Sequence, residues 1–220
     1  MSIQTVFPSI IYRSRVTGAR TLNSKLINEI NHLEIEDGAG QRWSEERYPG
    51  GYTSYGSLHR LHEISPTFQA LDLALRPHIK AYAKSLGLSG ARKLDMTDCW
   101  ANVMRKGVHH GWHLHPQAVI SGTYYLKTPR GAAPLKFEDP RLDRLMAAPL
   151  SPSRQRALWL EVPARESWVV LFESWMRHEV PINQSTSPRV SVSFNYSFFT
   201  SFKSSGSCWG YYYVINRSKL

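Results

Sequence analysis

The sequence predicts a mainly β protein in which helices precede a jelly-roll-like β domain. Three observations lead there. From about residue 97 onward, short runs of β-type residues alternate with turns, at 97–105, 118–128, 134–138, 158–162, 167–174 and 188–200. Six such runs with no long helix between them suggest antiparallel sheets closed into a sandwich or barrel. Aromatic residues make up 12% of the chain, with seven Trp and eleven Tyr, and such side chains suit a pleated, half-buried surface. Ahead of the β region, Phe68, Leu71, Leu75, Ile79, Tyr82 and Leu86 recur every three or four residues, the stripe of a helix packed on a core.

Taken in order, residues 6–13 read as a short strand opened by Pro8, and 22–33 as a helix carrying Leu22, Leu26, Ile30 and Leu33 on one face. Glycine, proline and aromatic turn residues crowd 37–58, which reads as a long ordered loop of the sort that often carries function. The clearest helix starts at Ser65-Pro66, an N-cap followed by a favoured first helical residue. It ends at Gly87, and Pro77 inside it predicts a kink. Residues 140–157 read as a polar insertion. Within the tail, 210–215 (GYYYVI) could add an edge strand. The organisation expected is one domain over 1–220: an N-terminal strand and scaffold helices to residue 96, the β core over 97–200 and an extension over 201–220.

Composition narrows the function. A 220-residue chain with 42% hydrophobic and 20% charged residues can fold round one sizeable core. The net charge is +10, compatible with an anionic small molecule or with nucleic acid. The basic residues are scattered, however, with no run of four, which makes nucleic acid the weaker reading. No stretch approaches the roughly 20 apolar residues of a membrane span. The N-terminus lacks a secretory pattern. Cys99 and Cys208 form neither a C-x-x-C nor a disulfide framework. Two free thiols in a reducing compartment, and hence a cytoplasmic protein, is the simplest expectation.

The chemistry concentrates in histidine. Four of the nine histidines fall within seven residues, as His109, His110, His113 and His115 in GVHHGWHLHP. On an extended backbone His113 and His115, two apart, point to the same side and can converge on one ion; imidazole suits Fe, Zn, Cu and Ni. His178, just after the buried run 167–172, is the best third ligand. His59, His62 and His78, on or near helices, read as structural or surface residues. His109 and His110 read as neighbours of the site or parts of a lid.

Eleven residues after His178 begins a strand that alternates cleanly. Arg189, Ser191, Ser193 and Asn195 share one face, and Val190, Val192, Phe194 and Tyr196 share the other. The polar face is either solvated or turned inward. If inward, its arginine needs an anionic partner, which a bound carboxylate supplies to the planar guanidinium. The histidines nearby favour the second reading.

An H-x-H pair, a distal His and an Arg-x-Ser about ten residues on resemble the pattern of the 2-oxoglutarate/Fe(II) oxygenases. The chain is similar in particular to a bacterial and phage group of these, through YPGGYTSYGSL (48–58), HLHPQAVISGTYYL (113–126), PLKFEDPR (134–141), LFESWMRHEVPIN (171–183) and PRVSVSFNY (188–196). The resemblance covers most of 6–199. It implies a double-stranded β-helix (jelly roll, cupin-like) core, and Fe(II), 2-oxoglutarate and O₂ as cofactor and cosubstrates. It implies His113 and His178 as ligands, and Arg189 with Ser191 on the distal carboxylate of 2-oxoglutarate. Tyr125 would contact that carboxylate, and Asn102 lies within reach of the same cosubstrate.

The chain departs from the wider pattern at His115, where an Asp or Glu normally completes a two-His-one-carboxylate triad. Either His115 itself ligates, the favoured option, or water or a carboxylate such as Glu138 or Asp139 does. An imidazole there leaves no room for a halide, which argues against halogenation. The implied activity is hydroxylation of an unactivated C–H bond in a small metabolite or amino-acid-derived substrate, with release of succinate and CO₂. Tyr52, Tyr55, Trp112, Trp175 and the 140–157 insertion are candidates for the pocket lining, and a homodimer through the helical layer is compatible with the pattern. Two alternatives stand beside this reading: a three-His cupin-type dioxygenase that does not use 2-oxoglutarate, and a non-enzymatic basic protein that binds nucleic acid or serves in a phage structure.

Overall fold

The computed structural model describes residues 1–88, 93–141 and 158–198. Most of the 140–157 insertion lies outside these residues, as do the whole 201–220 tail, its 210–215 strand and Cys208.

Among the described residues, ten strands form two antiparallel sheets. The strands are β1 (Ile11–Arg15), β2 (Tyr52–Thr53), β3 (Leu94–Met104), β4 (His110–His113), β5 (Ile120–Lys127), β6 (Leu135–Glu138), β7 (Trp159–Val162), β8 (Trp168–Glu173), β9 (His178–Val180) and β10 (Arg189–Phe198). The larger sheet runs β1-β8-β5-β10-β3-β2 and the smaller β4-β9-β6-β7. This is the jelly-roll, double-stranded β-helix core that was expected. Each of the six expected β runs contains a strand. The short β4 and β9, which carry His113 and His178, were not expected as strands.

Alternation along the larger sheet creates two cores. Tyr124, Leu126, Val169, Leu171, Val190, Val192, Phe194 and Tyr196 face outward and pack against the helices. Tyr125, Val170 and Phe172 face inward, against Leu135, Phe137, Val162 and Val180 of the smaller sheet. The helices are α1 (Arg20–Glu36), α2 (Gly38–Arg47), α3 (Leu61–Ile64) and α4 (Pro66–Ser85). Helix α4 starts as the sequence indicates, with Ser65 Oγ accepting from the amides of Thr67 (3.2 Å) and Phe68 (3.3 Å). It runs through Pro77 as one element, and its buried stripe includes Phe68, Leu71, Leu75, Ile79 and Tyr82. A polar tie fastens this layer to the sheet: the Tyr196 hydroxyl donates to Asp72 Oδ1 at 2.5 Å, and Arg76 holds the other carboxylate oxygen at 2.9 Å.

The stretch 37–58 is corrected by the structure. Most of it is not loop: α2 occupies 38–47, β2 follows, and a 3₁₀ turn covers 54–56. Asp37 starts α2 by accepting from the Gly40 amide at 2.9 Å. The Gly-rich composition concealed a helix that capping and tertiary packing support.

Gly122 of β5 marks how closely the outer core is packed. A Cβ there would sit 2.6 Å from Phe194 Cε2 and 2.7 Å from Leu171 Cδ2. Gly122→Ala should therefore destabilise the fold by about 1–3 kcal/mol, the usual cost of overpacking. A chemical denaturation midpoint equal to that of the native chain would contradict this packing. Among the described residues, no helix is long and apolar enough to cross a membrane.

Candidate metal centre

Strand pairing, not sequence proximity, assembles the site. In the β4–β9 pair, His113 lies opposite His178 and His110 opposite Val180. The two contacts are thus three positions apart on β4 but two apart on β9, a bulge. It turns His110 and His113 to the same side, with ring centroids 4.1 Å apart. His115 lies just beyond β4, where its amide donates to the Ser174 carbonyl (3.0 Å). The ring centroids of His113 and His115 are 5.3 Å apart, those of His113 and His178 4.2 Å, and those of His115 and His178 5.1 Å.

Ligand atoms of these three residues lie within 4.8 Å of one another. Glu138 and Asp139 are not in this group. Glu138 pairs with Arg177 at 2.6 Å and Asp139 with Arg141 at 2.9 Å.

Each imidazole is already engaged at Nδ1: His113 with the Gly111 carbonyl (2.7 Å), His178 with the Met176 carbonyl (2.8 Å) and His115 with Asn195 Oδ1 (2.7 Å). Every partner is an acceptor, so Nδ1 carries the proton and Nε2 the free lone pair, the tautomer a metal ligand needs. Burial lowers the pKa of all three, to about 2 for His178 and about 4 for His113. Neutral imidazoles therefore face the site at physiological pH. Three neutral nitrogen donors suit a divalent transition ion.

One pocket joins these histidines to the polar face of β10. Trp100, Asn102, Phe172, Leu135, Arg189 and Ser191 line it together with the three histidines. The polar face of β10 thus points inward. Arg189 is 2% exposed. Its Nε donates to the Ala133 carbonyl (3.1 Å) and its Nη1 to Ser191 Oγ (3.2 Å), and its guanidinium carbon lies 4.9 Å from the centre of the Tyr125 ring. Among the described residues no carboxylate forms an ion pair with it. Among the described residues the buried Tyr125 hydroxyl makes no hydrogen bond of full geometry, though it lies close to the Arg189 guanidinium. Burial raises its pKa and the Arg189 guanidinium beside it pulls it back down. A buried cation without a carboxylate partner among the described residues, next to a hydroxyl that lacks a hydrogen bond of full geometry, fits a bound carboxylate.

Asn102 also lines the pocket. Its Oδ1 accepts from Thr53 Oγ1 (2.9 Å) and its Nδ2 donates to Ser193 Oγ (3.1 Å). Two expected lining residues lie elsewhere. The Tyr52 hydroxyl donates to Asp37 (3.0 Å) within the helical layer. Trp112 stacks with Lys136 and Arg177, whose side chains alternate with the buried residues of the smaller sheet and so occupy its outer face. Tyr55 touches Trp100 (centroids 5.1 Å), which in turn touches His115 (5.7 Å). Trp175 is 48% exposed. His78 is a structural residue bonded to the Tyr12 hydroxyl (2.9 Å).

Three contributors were absent from the sequence reading. Tyr48 lines the pocket and its hydroxyl is held above its usual pKa by burial, against the pull of Arg189. Trp100 forms a wall, and Asn195 fixes His115. Only Asn195 had a signal, its place on the polar face of β10.

The double-stranded β-helix thus brings together three inward imidazoles that could hold a metal ion and a buried arginine without an ion-pair partner among the described residues. Residues 98–195 match the family model described as "Putative 2OG-Fe(II) oxygenase". Over that segment the resemblance to the 2OG-Fe(II) oxygenases read from the sequence is borne out. Solved structures of similar fold include the non-heme alpha ketoglutarate dependent carbocyclase SnoK from nogalamycin biosynthesis, at 16% identity and TM-score 0.61 over 86% of this chain and 79% of that one. They also include a Pseudomonas putida prolyl-4-hydroxylase, at 14% identity and TM-score 0.58 over 86% and 92%. HygX from Streptomyces hygroscopicus, with nickel and 2-oxoglutarate bound, matches at 13% identity and TM-score 0.57 over 86% and 83%. At these identities the likeness is one of fold. No curated protein matches the sequence.

Proposed function

We propose that the chain is an Fe(II)- and 2-oxoglutarate-dependent oxygenase that hydroxylates a C–H bond of a small molecule. The reaction balances as substrate, 2-oxoglutarate and O₂ going to hydroxylated substrate, succinate and CO₂. The observation that carries this reading is the shared pocket, in which three convergent imidazoles face a buried arginine that has no carboxylate partner among the described residues.

His113, His115 and His178 would hold the iron through Nε2. When bound, the iron supplies the coupling of O₂ reduction to 2-oxoglutarate decarboxylation and C–H oxidation. The chain's own share is positioning. Arg189, with Ser191 and the Tyr125 hydroxyl, receives the distal carboxylate of 2-oxoglutarate, and Asn102 borders the same cavity. Trp100, Phe172 and Leu135 wall the cavity against water. A divalent metal with 2-oxoglutarate is also the ligand pair held by HygX. The +10 net charge favours an anionic substrate.

The protein supplied with Fe(II), O₂ and 2-oxoglutarate should release succinate slowly even without its substrate, and release should cease when Fe(II) or O₂ is withheld. Oxygen uptake that ignores 2-oxoglutarate would instead favour the cupin-type dioxygenase.

A further inference from the structure

Two of the three histidines are oriented by backbone carbonyls. His115 alone is oriented by a side chain, Asn195, and that side chain is itself held from both ends. Its Oδ1 accepts from His115 Nδ1 (2.7 Å) and from Ser121 Oγ (2.8 Å), and its Nδ2 donates to Asp98 Oδ2 (3.2 Å). Flipping the amide would set its oxygen against the Asp98 carboxylate, acceptor against acceptor. Asp98 therefore dictates which end of Asn195 meets the imidazole.

The local backbone is built for this contact. In the β3–β10 pair Asn195 lies opposite Asp98, yet Tyr196 lies opposite Met96. Thr97 is thus an extra residue on β3, a bulge that reverses the phase of alternation. Met96 and Cys99 pack in the outer core beneath the helices. In a regular strand Asp98, two residues from Met96, would be sent to that same apolar side. The bulge turns it instead to the side of Trp100 and Asn102, which line the pocket. The Thr97 hydroxyl then donates to the same carboxylate oxygen (2.8 Å).

We infer that Asp98 and Asn195 are positioning residues of the metal centre, a carboxylate and an amide in series that fix the ring and tautomer of His115. The inference rests on the metal-binding reading proposed above. The group of three imidazoles contains no carboxylate; Asp98 supplies a negative charge one hydrogen-bonded amide behind it. Such outer partners orient a ligating imidazole and raise its basicity, and losing one typically weakens metal binding about 10- to 100-fold.

The test uses the full chain and Co(II) alone, with affinity measured by chelator competition and the visible ligand-field bands followed in parallel. Asn195→Ala should bind Co(II) about 10- to 100-fold more weakly than the native chain, and Asp98→Asn should weaken it too. The exchange Asp98→Asn with Asn195→Asp keeps the hydrogen-bonded chain from position 98 through 195 to His115, with donor and acceptor exchanged between 98 and 195, and puts a carboxylate directly on His115, so affinity and bands should return to near native. A merely structural role would lower the melting temperature of the metal-free variants without that recovery. Folded single variants that bind Co(II) as the native chain does would overturn the inference alone, as would an exchange variant that fails to recover. Absence of Co(II) binding by the native chain would overturn the metal reading as well.

Discussion

His178→Ala is expected to abolish tight metal binding while leaving the chain able to fold. His178 is 3% exposed and sits between the other two imidazoles and the Phe172 ring, whose centroid is 4.5 Å away. Its Nδ1 is committed to the Met176 carbonyl, which leaves one nitrogen for an ion and no freedom to serve another purpose. Removing it takes one of three donors, so the loss should exceed the roughly 10–100-fold that an outer partner is worth. The fold should survive, because the two sheets close over Phe137, Phe172, Val162 and Leu135 without help from the imidazole. Equilibrium dialysis against Fe(II) or Co(II), with circular dichroism on the same samples, checks both halves. Native-like affinity in the variant would remove His178 from the centre.

Arg189→Met should weaken 2-oxoglutarate binding without lowering the stability of the ligand-free protein. Truncating one member of a buried, hydrogen-bonded charge pair costs roughly 2–5 kcal/mol of binding, or about 30-fold and upward in affinity. Free of ligand, the guanidinium is buried beside Ser191 and Tyr125 with no carboxylate among the described residues to balance it. An apolar side chain of similar length removes an uncompensated charge and is tolerated or stabilising. The two effects therefore have opposite signs, which separates a ligand-binding arginine from a structural one. Arg189→Lys keeps the charge but loses the planar fork and should fall between native and Met. Calorimetric titration of the metal-loaded protein with 2-oxoglutarate, beside melting curves of the metal-free variants, reads both. A melting temperature that drops sharply in Arg189→Met, with 2-oxoglutarate affinity unchanged, would contradict this role.

The parts of this site that were legible in the sequence are those written in local periodicity. The period-two pattern of 189–196 placed Arg189 and Ser191 together on a polar face. The spacing of His113 and His115 announced convergence, and the stripe from Phe68 to Leu86 marked the scaffold helix. What escaped the reading depends on pairing between distant strands. Nothing local brings Tyr48 beside Arg189, or Trp100 beside His115. The bulges at Thr97 and within His110–His113 shift alternation by one residue, and only the register with β10 and β9 reveals them. Residues 38–47 were misread because Gly38 and Gly40 lower helix propensity, while the Asp37 cap and burial of Gly40 and Ser44 restore it. Trp112 and Tyr52 were assigned to the pocket by proximity in sequence, whereas strand phase turns one to the outer face and packing ties the other to Asp37.

The most direct test of the oxygenase reading is an anaerobic titration of the Fe(II)-loaded protein with 2-oxoglutarate, followed in the visible spectrum. Chelation of the cosubstrate to the metal predicts a weak metal-to-ligand charge-transfer band that saturates in the native protein, needs higher 2-oxoglutarate in Arg189→Ala and is absent in His178→Ala. A protein that binds Fe(II) yet shows no spectral response to 2-oxoglutarate would contradict the account.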